Sequence, residues 1–87
     1  MTPAVVTVTA GGVWPADVED EEGVVSNWFV RPGARVDAGE TLCEVQVEKV
    51  TVEVVSPVAG VVADRLVDER EPIAPDTPLI RIEEAGD

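Results

Sequence analysis

The sequence has no histidine and one cysteine, and its six basic residues include a single lysine. Without histidine, the commonest general base and the commonest metal ligand are both missing, so neither a stand-alone metalloenzyme nor a Ser/Cys-His catalyst is expected. Cys43, being alone, cannot close an internal disulfide. The other five cationic residues are Arg31, Arg35, Arg65, Arg70 and Arg81, which leaves Lys49 as the only side-chain primary amine. No apolar run approaches the roughly 18 residues that a membrane span needs, and the N-terminus lacks the basic-then-apolar layout of a signal peptide. The expectation is a cytoplasmic chain. Positive charge is scarce as well: 18 acidic against 6 basic residues give a formal net charge of −12. That charge repels nucleic-acid backbones and anionic membranes, so neither is expected as a partner.

A sustained helical apolar period is also missing, and helix beyond a turn is not expected. What is present is valine, within an apolar content of 45%. Its β-branched side chain suits a pleated, half-buried surface. Seven Gly and seven Pro punctuate the chain. At 87 residues the chain is expected to be one domain, residues 1–87 with a core of about 4–83. Strands are expected over Ala4 to Thr9, with Val6 and Val8 facing in, Gly23 to Val30, Leu42 to Val47, Val50 to Val55, Gly60 to Val67 and Leu79 to Ile82. Pro32-Gly33 fits the central positions of a type II turn, and Asp37-Ala38-Gly39-Glu40 offers a second such turn. Between the first two strands, Gly11-Gly12, Trp14-Pro15 and the acidic run Asp17, Glu19, Asp20, Glu21, Glu22 describe a surface loop. Trp14 either folds back as a lid on the core or stays available to a partner.

The sequence repeats itself. A shift of 37 positions lays Gly23-Val24-Val25 on Gly60-Val61-Val62, and then Val30 on Val67, Val36 on Ile73, Leu42 on Leu79, Cys43 on Ile80 and Val45 on Ile82. Two strand-turn-strand-turn-strand halves follow, related by an approximate two-fold and sharing one core between two sheets. The turns diverge, since Arg70 stands where the first half has Gly33, and Asp76 where it has Gly39. With Pro72, Pro75 and Pro78 nearby, the second half is expected to use turns of negative φ. Cys43, aligned with Ile80, is expected to be a buried structural thiol.

Lys49 lies where two alternating valine runs meet, between Val45 and Val47 on one side and Val50, Val52 and Val54 on the other. It is expected at the tip of the hairpin that joins the two halves. By the pseudo-symmetry, the corresponding pole of the other half is expected to hold the chain ends. Glu48 and Val50 flank it in a turn with neither Gly nor Asn-Gly, which is not the easiest hairpin to form.

Taken in order, Gly-Val-Val, aromatic-Val, Pro-Gly, Ala-Gly-Glu, Leu-Cys-Glu-Val, Glu-Lys-Val, Ser-Pro-Val-Ala-Gly-Val-Val and Thr-Pro-Leu-Ile resemble the lipoyl domains of 2-oxo acid dehydrogenase acyltransferase components. The resemblance runs from about Gly23 to Glu83. It implies an all-β, flattened barrel of two antiparallel sheets with quasi-two-fold symmetry, a barrel-sandwich hybrid. It implies lipoate on Lys49, within an Asp-Lys-Ala motif that here reads Glu48-Lys49-Val50, and a non-catalytic, monomeric carrier domain. The implied partners are a thiamine-dependent 2-oxo acid dehydrogenase, an acyltransferase core, dihydrolipoyl dehydrogenase and a lipoate-attaching enzyme. It also places the loop after the first strand near the lysine, where Glu48, Trp14 and the acidic run Asp17 to Glu22 could contact those enzymes. Biotin carrier domains share the fold but set their lysine between methionines, and neither Glu48 nor Val50 is one. The alternatives are a biotin carrier and an unmodified interaction module.

Overall fold

The computed structural model describes residues 4–16 and 22–85. Its strands are β1 (Val5–Val8), β2 (Gly23–Trp28), β3 (Arg35–Val36), β4 (Thr41–Val47), β5 (Val50–Val55), β6 (Gly60–Arg65), β7 (Pro72–Ile73) and β8 (Ile80–Glu84). No α-helix occurs among the described residues. The strands form two four-stranded antiparallel sheets, ordered β1-β8-β6-β3 and β5-β4-β2-β7. The expected all-β, two-sheet barrel-sandwich is therefore the fold.

The repeat fixes the hydrogen-bond register twice over. Gly23 lies opposite Val47, Val25 opposite Val45 and Trp28 opposite Cys43, while Gly60 lies opposite Glu84, Val62 opposite Ile82 and Arg65 opposite Ile80. A bulge falls between Val25 and Asn27 and again between Val62 and Asp64. Such bulges bend a strand and raise its twist, which lets each sheet curl over the other. The short strands are exchanged: β3 of the first half pairs with β6, and β7 of the second half pairs with β2. The fourth position in each sheet goes to β5 beside β4 and to β1 beside β8.

Alternation along these strands sends Val25, Val45, Val47, Val62, Ile80 and Ile82 inward, where they pack with Val36, Leu42, Cys43 and Leu79 at 1% exposure or less. Burying each such side chain contributes roughly 1.5–3 kcal/mol. Val8 is buried and Val6 packs against the core, as the alternation in β1 requires. β2 and β6 each stop two residues before the valine pattern does, at equivalent positions. The cause is shared too, because the chain there leaves its neighbouring strand after one last bond, Phe29 N to Leu42 O at 2.9 Å and Leu66 N to Leu79 O at 2.8 Å.

Trp28 and Arg65 are repeat mates, and they meet across the pseudo-two-fold axis. The Arg65 guanidinium lies 5.3 Å from the Trp28 ring centroid. Each side chain also donates to the other half's backbone, Trp28 Nε1 to Val67 O at 3.1 Å and Arg65 Nη1 to Val30 O at 3.3 Å. Val30 and Val67 are themselves mates. An indole and a guanidinium thus make one symmetric pair of ties, joined by a cation–π contact worth roughly 0.5–1 kcal/mol.

The first-half turns form as expected. Ala34 N donates to Arg31 O at 3.0 Å with Gly33 at φ 90°, and Glu40 N donates to Asp37 O at 3.0 Å with Gly39 at φ 88°. In the second half Asp76 avoids positive φ, but Arg70 does not: its φ is 71°. The expectation of negative φ at Arg70 is corrected by a backbone hydrogen bond. Arg70 N donates to Val25 O at 2.8 Å, just as Gly33 N donates to Val62 O at 2.8 Å. The bond that seats each turn on the other half's strand sets the backbone, and Arg70 takes the glycine conformation against its own preference. Arg70→Gly should therefore stabilise the domain by about 1 kcal/mol, seen as a higher urea midpoint at unchanged slope; a lowered midpoint would show that the arginine side chain outweighs the strain.

Candidate functional site at the β4–β5 tip

Glu48 and Lys49 are the two turn residues between β4 and β5, closing on the pair Val47 and Val50. The base of the hairpin is anchored on one side only. Val47 is fully buried, whereas along β5 exposure rises from 3% at Val54, through half-buried Val52, to 43% at Val50. Glu48 and Lys49 are exposed. Glu48 has φ 57°, and its carbonyl accepts a hydrogen bond from Gln46 Nε2 at 3.4 Å. Among the described residues the ion pair is Arg81 Nη2 to Asp64 Oδ2 at 3.1 Å, in the other sheet, so Lys49 faces solvent without a carboxylate partner.

The pole is roofed by Trp14. Gly23 pairs with Val47, and a Cβ on Gly23 would come within 2.8 Å of Trp14 Cη2 and 2.9 Å of Val47 Cγ2. Trp14 is 9% exposed and belongs to the core cluster, so of its two possible roles it takes packing. Glu22, next to Gly23, is exposed at this same pole. The expected acidic contact run Asp17, Glu19, Asp20 and Glu21 lies outside the described residues.

At the symmetric position Glu84 N donates to Ala4 O at 2.8 Å and Ala85 N to Ala59 O at 2.8 Å. No group of His, Cys, Asp and Glu among the described residues could hold a metal ion. Cys43 is fully buried, and burial pushes its thiol up from 9.0 to about 12. What the tip offers chemically is an accessible amine. The Trp28–Arg65 tie, which lies away from the tip, went unseen in the sequence although the 37-position shift already lays one residue on the other.

An all-β barrel-sandwich hybrid with a lone lysine at one pole defines the class, and comparison with known proteins narrows it. The chain belongs to the biotin/lipoyl attachment family, whose model, described as "Biotin-requiring enzyme", matches residues 14–82. The dihydrolipoyllysine-residue acetyltransferase component of the pyruvate dehydrogenase complex of Corynebacterium glutamicum is 36% identical over 65 residues, 75% of this chain and 10% of that protein. The same component from Bacillus subtilis (strain 168) is 46% identical over 48 residues, 55% of this chain and 11% of that protein. The succinyltransferase component of the 2-oxoglutarate dehydrogenase complex of Staphylococcus saprophyticus is 40% identical over 52 residues, 60% of this chain and 12% of that protein. The chain thus spans about a tenth of the length of these relatives. The solution structure of the lipoyl domain of the Azotobacter vinelandii 2-oxoglutarate dehydrogenase complex superposes with a TM-score of 0.72 over 93% of this chain and 100% of that one, at 23% identity. That likeness is one of fold.

Two outcomes follow from the site's surroundings. Gly23→Ala should displace Trp14 at a cost of about 1–3 kcal/mol, read as a red-shifted tryptophan emission together with a lower Tm; unchanged emission would mean that Trp14 is not seated on Gly23. Cys43 should resist a thiol reagent at pH 8 in the folded domain and react once urea unfolds it. Because the folded thiol titrates near 12 and the unfolded one near 9, its contribution to stability is complete below pH 9 and declines as pH rises toward 12.

Proposed function

We propose that this chain is a lipoyl carrier domain, with lipoate attached through an amide to Lys49. The observation that carries the proposal is the position of the sole side-chain amine: exposed, without an ion-pair partner among the described residues, at a two-residue tip whose β4 side is buried and whose β5 side is open. The residues present fit the group, because amide formation needs a reachable, unpaired amine. Val50 leaves one side of the attachment point open, and Val47 fixes the other.

Bound there, lipoate supplies a dithiolane that carries acyl groups and reducing equivalents, so the reactivity belongs to the cofactor. The protein's part is placement. Lys49 Nζ gives up its charge on forming the amide, which leaves the tip still more acidic beside Glu48. The buried base holds the attachment point while the exposed turn projects it, and tethering raises its effective concentration at each enzyme it visits. Similarity to acyltransferase components of pyruvate and 2-oxoglutarate dehydrogenase complexes supports service in such a complex. There its partners would be a thiamine-dependent dehydrogenase, the acyltransferase core, dihydrolipoyl dehydrogenase and the attaching enzyme. Lipoate is preferred to biotin because the relatives are named for dihydrolipoyllysine and because Glu48 and Val50, not methionines, flank the lysine.

Co-expression with a lipoate ligase should add the mass of one lipoyl group to the intact protein, and Lys49→Arg should abolish the addition. An adduct from biotin ligase alone would assign the site to biotin, and no adduct with either enzyme would leave an interaction module.

A further inference from the structure

Among the described residues only Glu48 and Arg70 have positive φ without being glycine, at 57° and 71°. The two have different origins. Arg70 inherits its conformation from the repeat, since it makes the bond to Val25 O that Gly33 makes to Val62 O. Glu48 does not inherit its conformation, because its repeat mate Ala85 has no positive φ. Its strain belongs to the tip alone.

The favoured two-residue hairpin turns have positive φ at their first central position, where Gly, Asn or Asp is the low-energy choice. Glycine there would leave the following residue free to swing, since it admits both hands of backbone. Glutamate in the left-handed well admits few alternatives, and the Gln46 Nε2 contact to the Glu48 carbonyl ties the turn to β4. Strain held at such a point is the kind that pre-organises a site.

We propose that Glu48 is a positioning residue: its left-handed backbone, not its carboxylate, fixes the direction in which Lys49 leaves the tip and so presents a pre-ordered amine to the attaching enzyme. The proposal rests on Lys49 being the lipoylation site. Pre-ordering lowers the entropy lost when the enzyme engages the tip, so its removal acts on binding and leaves the chemical step alone.

The test compares wild type, Glu48→Gly and Glu48→Asn in steady-state lipoylation by a lipoate ligase, with Lys49→Arg as the blank. In parallel, Lys49 is acetylated with an N-hydroxysuccinimide ester and followed by peptide mapping, and its backbone amide is measured by 15N relaxation. Glu48→Gly should raise KM about threefold to fivefold at unchanged kcat, lower the Lys49 order parameter and leave ester reactivity unchanged. Glu48→Asn, which tolerates left-handed φ, should stay within about twofold of wild type. Wild-type KM in Glu48→Gly would overturn the proposal. So would an equal rise in Glu48→Asn, because the carboxylate would then be what the enzyme reads. If wild type itself gains no lipoyl group, the lipoylation reading fails, and the relaxation data decide the ordering claim separately: an unchanged order parameter in Glu48→Gly overturns it, and a lowered one upholds it.

Discussion

The exchange of short strands between the two halves is the constraint on which the rest depends. β3 completes the sheet of β6, and β7 completes the sheet of β2, so neither half has its full sheet without the other. The apolar faces that alternate along β2, β4, β6 and β8 find cover only when both sheets exist. Among the described residues, seventeen apolar residues consequently form one cluster, not two. The backbone bonds that seat the two turns, Gly33 N to Val62 O and Arg70 N to Val25 O, run between halves in the same way. Folding of one half without the other would leave those donors and acceptors unpaired, which favours a single cooperative transition.

Symmetry of backbone does not require symmetry of side chains, and the differences are informative. The position occupied by Asn27 opposite Glu44 in one sheet holds Asp64 opposite Arg81 in the other, where it becomes an ion pair. That pair is about half exposed on both sides and contributes little. On the sheet that bears Lys49, by contrast, Glu44 also faces Glu53 directly across β4 and β5. Like charges opposite one another cost roughly 0.2–1 kcal/mol. One facing pair of carboxylates, Glu44 and Glu53, therefore lies on the sheet that carries the tip.

The valine-rich strands, the Pro32-Gly33 turn and the duplication were legible in the sequence because each is a local signal: alternation, turn chemistry or self-similarity. β3 and β7 span two residues each, too few for alternation to register, and they exist by virtue of their partners. Arg70 was misjudged for a related reason, since its own preference and the nearby prolines favour negative φ while a bond to a residue 45 positions earlier decides otherwise. At the tip, residue identity could be read and the conformation could not. The lack of Gly or Asn at position 48 was plain, but whether the turn strains or the hairpin lengthens is settled by the Val47–Val50 register, which the two sheets impose. Trp14 was undecided from sequence because its role depends on Gly23, nine residues on, having no side chain to fill the same space.

If Lys49 is modified as proposed, selectivity among side-chain amines would need no elaborate recognition on the side of this chain, because Lys49 carries the only one. There is no histidine, and the one thiol is sealed in the core with its ionisation pushed far above neutral pH. What remains to be specified is orientation, and the burial gradient at the pole fixes the hairpin base from which the turn at Glu48 departs. Val47, Gly23 and Trp14 pack one side of the hairpin base, while Val50 is left partly open on the other. Were Lys49 to carry lipoate as proposed, a base packed on one side with an exposed two-residue crest would give the tethered group reach while its origin stays fixed, and a mobile base would forfeit the advantage of tethering.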